Sequence, residues 1–207
     1  MLDIFGIHVE FNLKDAMDSL ERILKEHFPS KADKHEKLIA SCRTLDLKSV
    51  NSLLKKNVDM NEPDEEGRTL LINASSKGDN DSVGKKNFHL VKLLLDCGAE
   101  LNLEAKDHWG NTALIMASRN GAARIVKALI DAGAEVNAQN GIGWTGLMRA
   151  AKHGYHVTVK VLLNHGSDKY ISNEDGKTAR DIVIENRDAI IRKRGQSVYD
   201  ELLELLS

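Results

Sequence analysis

Four segments that share one pattern decide the fold of this chain: GRTLLINA (67–74), GNTALIMA (110–117), GWTGLMRA (143–150) and GKTARDIV (176–183). Each begins with Gly-x-Thr, and the last three of these glycines stand 33 residues apart. Threonine is a favourable helix N-cap and glycine a common turn residue, so each segment predicts a tight turn followed by a short helix. A fixed period of this length indicates a chain built from copies of one supersecondary unit.

A second shared block follows in each unit. Its copies are VNSLLKKNVDMN (50–61), VKLLLDCGAELN (91–102), VKALIDAGAEVN (126–137) and VKVLLNHGSDKY (159–170). In one copy Val126, Leu129 and Ile130 recur at helical spacing, and a glycine then stands where a helix is expected to stop. The glycines at this position are Gly98, Gly133 and Gly166. Two short helices cannot bury their apolar faces alone, so stacked neighbours must complete the core of a solenoid.

These blocks resemble the ankyrin-repeat family, whose unit of about 33 residues is a β-turn followed by two antiparallel helices. The family's Thr-Pro-Leu-His stretch is changed here to Thr-Leu-Leu-Ile, Thr-Ala-Leu-Ile, Thr-Gly-Leu-Met and Thr-Ala-Arg-Asp. The resemblance implies an all-α solenoid with β-turn tips over residues 36–207, and a structural role for Asn102 and Asn137. We expect about five units, after an N-terminal extension at 1–35: 36–63, 64–106, 107–139, 140–172 and 173–207.

The N-terminal extension does not fit the repeat. Apolar residues alternate with other types at Phe5, Ile7, Val9 and Phe11. This period of two predicts a strand, and an amphipathic helix is predicted to follow from a cap at Asn12 to about Phe28. A lone strand has unpaired backbone groups. Either the segment folds back over the first unit of a monomer, or the strand pairs with a second copy or a partner strand.

Two units are longer than the period. The interval from Gly67 to Gly110 is 43 residues, and we place most of the excess in a polar loop, GDNDSVGKKN (78–87), between two helices. This loop is either a tolerated surface insertion or a recognition loop. The last unit is lengthened by RDAIIRKRGQS (187–197), which holds the compact basic run Arg192–Arg194. We interpret that run as a solvated loop or a contact for an anionic surface.

Composition narrows the functional classes. The net charge of -2 gives no broad basic surface, so nucleic acid is not expected as a partner. We see no basic leader and no long apolar run, so we expect a cytoplasmic protein without a membrane segment. Cys42 and Cys97 are too few for a disulfide scaffold, and both are expected to be free thiols.

Enzyme and metal-site motifs are absent from the sequence: we find no phosphate loop, nucleophile elbow or zinc helix. His153 and His156 are close in sequence but straddle Gly154, without a nearby cysteine or carboxylate pair, so we interpret them as solvated rather than metal-ligating. We therefore expect no catalytic residue, no cofactor and no metal.

The family resemblance implies a concave binding face formed by the turn tips and first helices, where a protein partner docks. Acidic residues on it are Glu65, Glu66, Glu174 and Asp175, and Met116 is expected to lie partly in the core. The matching candidate contact positions are Arg68, His108, Trp109, Asn111, Arg119, Asn120, Ile142, Trp144, Arg149, Lys152, His153 and Lys177.

Both tryptophans of the chain lie among these positions, and tryptophan and arginine are frequent binding hot spots. We expect Trp109 and Trp144 to be neighbouring apolar anchors inside a ring of Arg119, Arg149 and Lys152. The alternative is that each indole packs over a neighbouring turn. The resulting prediction is a non-catalytic protein-binding module. The alternatives are a regulatory or scaffolding subunit of an enzyme complex, and a bacterial effector acting on a host protein.

Overall fold

The computed structural model describes residues 2–4, 7–9, 18, 31–56, 58–78, 82–97 and 103–207. Helices dominate this part of the chain. They are α1 (Lys31–Thr44), α2 (Leu47–Leu54), α3 (Leu70–Ser75), α4 (Ser82–Cys97), α5 (Ala113–Arg119), α6 (Ala123–Asp131), α7 (Gly146–Lys152), α8 (His156–Asn164), α9 (Ala179–Glu185), α10 (Arg187–Arg194) and α11 (Gln196–Leu205).

The helices stack as successive pairs, which we number as the first to fifth units. The first helices α1, α3, α5, α7 and α9 contact one another in series, and so do the second helices α2, α4, α6, α8 and α11. Helix α10 is an addition between the two helices of the fifth unit. This arrangement confirms the predicted all-α solenoid.

Local sequence signals explain where the helices begin and end. The four predicted threonines cap α3, α5, α7 and α9, and each hydroxyl accepts a hydrogen bond from the backbone N–H three residues on: Thr69, Thr112, Thr145 and Thr178. The glycine two residues before each threonine has φ between 73° and 78°, a region that glycine adopts without steric cost. Helices α6 and α8 end two residues before the predicted Gly133 and Gly166, whose backbone N–H groups bond back to helix carbonyls.

The core lies between the units. Leu71, Leu114 and Leu147 occupy the same position in the second, third and fourth units, and each is 1% exposed. Burying one such side chain contributes about 2 kcal/mol of transfer free energy. The fifth unit has the exposed Arg180 at this position. A charged side chain is suitable there because a terminal unit has one face in water.

The N-terminal segment corrects the prediction of one strand. Leu2–Ile4 pairs antiparallel with Ile7–Val9, and Ile4 lies opposite Ile7. Apolar alternation cannot separate one strand from two hairpin arms, because both have a period of two. The premise of a lone, unpaired strand was therefore wrong. The predicted helix from Asn12 to about Phe28 lies outside the described residues, except Asp18, which is helical.

The predicted loop at 78–87 also needs correction. Residues 82–87 are helical and form the start of α4, which has 16 residues where α6 has 9. The buried Asn87 donates a hydrogen bond to the Ala74 carbonyl at 3.2 Å and so ties the added turns to α3. The basic run Arg192–Arg194 likewise ends helix α10 and is not a loop. Polar composition misled both predictions because the exposed face of a helix is polar too.

Candidate functional site

The tips of the turns are built by one side chain per unit. In the third unit Oδ1 of Asp107 accepts hydrogen bonds from the backbone N–H groups of Trp109, at 3.0 Å, and Asn111, at 2.8 Å. The equivalent residues make the same pair of bonds in the other units: Asp64, Asn140 and Asn173. This side-chain turn fixes the direction of the residues at each tip.

Backbone hydrogen bonds join consecutive tips. The His108 N–H donates to the Glu66 carbonyl, the Gly141 N–H to the Trp109 carbonyl and the Glu174 N–H to the Ile142 carbonyl, at 3.0 to 3.3 Å. One residue in each turn occupies the same tip position, and these residues form a row: Glu66, Trp109, Ile142 and Asp175. The middle two are the apolar members of that row.

Trp109 and Ile142 are both exposed, at 61% and 49%. They line a groove of about 980 Å³ that lies between the turns and the first helices of the central units. The groove is also lined by Met116, Arg119 and Arg149. Met116 is half-buried and packs against the core, as its sequence position predicts.

Trp144 does not share this environment. It lies one residue after the turn glycine, whereas Trp109 lies one residue before it. Trp144 is half-buried against the core and does not line the groove. The Arg149 guanidinium lies 4.6 Å from its ring centroid and the Lys152 ammonium 5.2 Å. The expected pair of neighbouring tryptophan anchors is therefore corrected: Ile142 is the apolar neighbour of Trp109.

Two asparagines predicted as contacts are used inside the protein. Asn111 is 5% exposed, and its Nδ2 donates to both carboxylate oxygens of Asp107, at 3.1 and 3.2 Å. Asn140 in turn donates to the Asn111 side-chain oxygen at 2.9 Å. Asn120 donates to the carbonyls of Ser76 and Met116. Asn111 and Asn140 line the groove and Asn120 is half-buried, and the hydrogen bonds of all three side chains support the face from within the protein.

The remaining predicted contacts differ in their surroundings. Arg68 forms ion pairs with Asp64 and Glu66, and Lys177 forms one with Glu185. His108 and Arg119 are exposed. Lys152 and His153 lie at the far end of the face, beside Lys193 of α10.

The electrostatics of the face are positive at its centre. Burial, followed by the neighbouring charge of Arg119, lowers the pKa of the Arg149 guanidinium, against a smaller opposing effect of Asp107. Burial, and then the charges of Lys152, Arg119, Lys193 and Arg149, lower the pKa of His153. Several cations therefore lie close enough to influence one another.

Comparison with known sequences decides the family. A family model for ankyrin repeats matches the chain in three overlapping copies, over residues 37–140, 81–175 and 124–192. The chain belongs to the ankyrin-repeat family. Ankyrin repeats generally mediate protein–protein interaction, on the extended concave surface that stacked units create.

Individual ankyrin proteins match over part of the chain. Ankyrin repeat and SAM domain-containing protein 6 of Rattus norvegicus is 39% identical over 100 residues, 47% of this chain and 11% of that protein. E3 ubiquitin-protein ligase KEG of Arabidopsis thaliana is 32% identical over 120 residues, 58% of this chain and 7% of that protein. Protein phosphatase 1 regulatory subunit 12A of Mus musculus is 36% identical over 77 residues, 37% of this chain and 8% of that protein.

The two histidines considered as possible metal ligands in the sequence and the two cysteines lie outside the groove. His153 is the C-cap that follows α7, whereas His156 begins α8 and lies 4.0 Å from Glu201. No group of three or more metal-ligating side chains occurs within the described ranges. Cys42 and Cys97 are free, and burial raises the pKa of the Cys42 thiol to about 11. No helix in the part of the chain that the structure describes is long and apolar enough to cross a membrane.

Sequence reasoning missed the residues that hold the face in shape. Asp107 and Asn140 were not selected, although an Asp or Asn stands three residues before the turn glycine in every Gly-x-Thr unit. That recurrence is a readable signal, since these residues favour side-chain turns. The structural role implied for Asn137 fits its contacts: it accepts a hydrogen bond from the Asp168 N–H and donates to the Gly166 carbonyl. Asn102 lies outside the described residues.

Proposed function

We propose that this ankyrin chain is a protein-binding module whose partner docks in the groove of the third and fourth units. The observation that carries the proposal is the exposure of Trp109 and Ile142 at the same position of consecutive turns. Exposed large apolar side chains that share one groove are typical of interaction sites, and tryptophan is a frequent hot spot.

The hydrogen bonds that hold the turns of Trp109 and Ile142 in place favour binding. The side-chain turns of Asp107 and Asn140, joined through Asn111, hold the two tips in a fixed register. A face that is already ordered loses little conformational entropy when a partner docks. Trp109 and Ile142 therefore offer apolar area at a low ordering cost.

A regulatory role within a larger assembly is a second candidate. Similarity to protein phosphatase 1 regulatory subunit 12A over 77 residues favours it, because that relative's name describes a regulatory subunit. In that case the same groove would hold a subunit of the assembly. A bacterial effector role, a cytoplasmic location and a monomeric state stay predictions from the sequence.

The test is a selection of displayed random peptides on the wild-type chain, followed by affinity measurements on the selected peptides. The Trp109→Ala, Ile142→Ala double variant is expected to bind them at least tenfold more weakly, since truncating a hot-spot residue costs about 2 kcal/mol or more. The matched control is Val157→Ala, Tyr170→Ala, which truncates residues that are 53% and 75% exposed and do not line the groove.

The control variant is expected to bind as the wild type does. Urea unfolding would establish that both variants are folded. Peptides that tolerate the groove variant as well as the control would contradict the proposal, and so would a selection that yields no binding peptide.

A further inference from the structure

The groove is lined by two arginines, Arg119 and Arg149, that lack an ion-pair partner in the part of the chain that the structure describes. Within the described residues, neither Arg119 nor Arg149 has a carboxylate oxygen within 4.0 Å, whereas Arg68 and Lys177 do. Arg149 makes no side-chain hydrogen bond there, and its buried Nε has no acceptor. It is held by stacking on Trp144, so its outer nitrogens are available for a ligand.

The carboxylates that line the same groove are already engaged. Asp107 is buried, and its oxygens accept hydrogen bonds from Trp109 and Asn111. Glu66 pairs with Arg68. Burial, and then the charge of Arg119, lower the pKa of Arg149, and the opposing effect of the Asp107 carboxylate is smaller.

The positive region extends past the groove onto α7 and α10. Lys152 and Lys193 line the adjoining cleft beside His153, and within the described ranges neither forms an ion pair. Four cations in total act on His153: Lys152, Arg119, Lys193 and Arg149. In a chain with a net charge of -2, this local excess of positive charge stands apart from the overall balance.

We infer that the partner presents an acidic peptide segment, with apolar residues against Trp109 and Ile142 and anionic side chains against Arg119 and Arg149. The inference rests on the proposed function and names the chemistry of its partner. Arginine suits this role because its planar guanidinium binds carboxylate or phosphate through two parallel hydrogen bonds. Lys152 of the fourth unit and Lys193 of the fifth lie beyond the groove and attract further negative charge of the same segment.

The inference is tested with displayed peptide libraries that share the same random apolar positions. The other positions carry Asp and Glu in the first library, Asn and Gln in the second, and Lys and Arg in the third. The acidic library is expected to give the tightest binders. Neutral or basic binders that equal them would overturn the inference, yet leave the proposed function standing if they depend on Trp109 and Ile142. If no library gives a binder, the proposed function itself fails.

Variants that remove positive charge test whether the acidic peptide binds at Arg119 and Arg149. Arg119→Gln, Arg149→Gln is expected to weaken the best acidic peptide about tenfold or more, because a hydrogen bond to a charged group is worth more than a neutral one. The matched control is Lys127→Gln, Lys160→Gln, which removes two exposed cations of the second helices that pair with Asp131 and Glu201. Arg119→Gln alone serves if the double variant unfolds, since Arg119 is exposed.

One further experiment distinguishes phosphate from carboxylate as the source of the partner's negative charge. Peptides with phosphoserine in place of the Glu positions report whether phosphate is preferred over carboxylate, and tighter binding of either supports the inference. Binding of the acidic peptide should weaken as salt is added. Equal losses in the groove and control variants would overturn the inference. A short DNA duplex that binds through Arg119 and Arg149 more tightly than any acidic peptide would also overturn it.

Discussion

Among the described residues, the cations of the candidate face are paired with carboxylates in the second and fifth units, whereas those of the third and fourth units are not. Arg68 pairs with Asp64 and Glu66, and Lys177 with Glu185. Arg119 and Arg149 face the groove without such partners in the described part of the chain. The flanking units use charge for internal support, whereas the central units leave it unpaired, as the proposed binding of an acidic segment requires.

The same contrast separates the two tryptophans. Trp109 projects from a turn tip at 61% exposure, and Trp144 packs against the core beneath Arg149. A shift of two positions relative to the turn glycine exposes one indole in the groove and packs the other against the core. Each prediction below tests one side of the contrast between presented and supporting residues.

The largest effect is expected at the turn glycines. A Cβ at Gly110 would lie 2.5 Å from the Gly141 backbone nitrogen, while a Cβ at Gly176 would meet nothing within 4 Å. Both glycines have positive φ. Gly110→Ala should lower the free energy of unfolding by about 2–4 kcal/mol, and Gly176→Ala by about 1 kcal/mol. Urea unfolding measures both, and equal losses would show that the central tips are not packed as described.

The next largest effect is the difference in unfolding free energy between the two tryptophan variants. Trp144→Ala removes a half-buried side chain from the core edge and should cost about 2 kcal/mol of unfolding free energy. Trp109→Ala truncates an exposed side chain and should change it by less than about 0.5 kcal/mol. The measurement is again urea unfolding, on the single variants. A larger loss for Trp109→Ala would reverse the roles assigned to the two residues.

A smaller effect on stability is expected for the stacking of Arg149 on Trp144. A double-mutant cycle of Arg149→Ala with Trp144→Ala should give a coupling free energy of about 0.5–1 kcal/mol, because a partly desolvated guanidinium lies over the ring. The control cycle uses Lys169 and Tyr170, where the ammonium lies 5.5 Å from the centroid of a ring that is 75% exposed. That pair should couple more weakly. Similar values would mean that burial of Trp144 adds nothing to the contact.

The smallest effect concerns pH and the flanking turn at Asp64. Burial acts to raise the pKa of Asp64, but hydrogen bonds from Asn73, Arg68 and Glu66 outweigh it and leave the pKa below its ordinary value. The stabilisation is therefore complete above the unfolded pKa of about 3.9 and is lost as pH falls through the lower folded value. The stability difference between wild type and Asp64→Asn should shrink in acid. Urea unfolding across acidic pH values checks this, and a constant difference would contradict it.

Much of the fold was predictable because its signals are local and repeated. The Gly-x-Thr starts predicted the turns and N-caps, and the second glycines predicted the ends of α6 and α8. The start of α4 was not predictable as a helix, since the polar Asn87 is buried and bonded to Ala74, a contact between residues 13 apart in sequence. The hairpin was missed because its two arms share one alternating pattern.

The sequence placed the candidate face on the turn tips and first helices, and the groove of the central units lies among those residues. Trp109, Ile142, Arg119 and Arg149 were all selected, yet the sequence could not show which apolar residue adjoins Trp109. That depends on the register of stacked turns, which brings positions 33 residues apart side by side. Asn111 matches a turn-tip contact position of the family, but here it is buried and hydrogen-bonded to Asp107 and Asn140.

The most direct test of a binding face on the central units is a heteronuclear NMR titration of the isotopically labelled chain with the tightest selected peptide. The largest shift changes are expected at the Trp109 indole N–H and at the backbone amides of Ile142 and Arg119. The indole signals are assignable because the chain has two tryptophans and Trp109→Ala removes one. Changes confined to α6, α8 or Tyr170, with the Trp109 and Ile142 signals unmoved, would contradict the account.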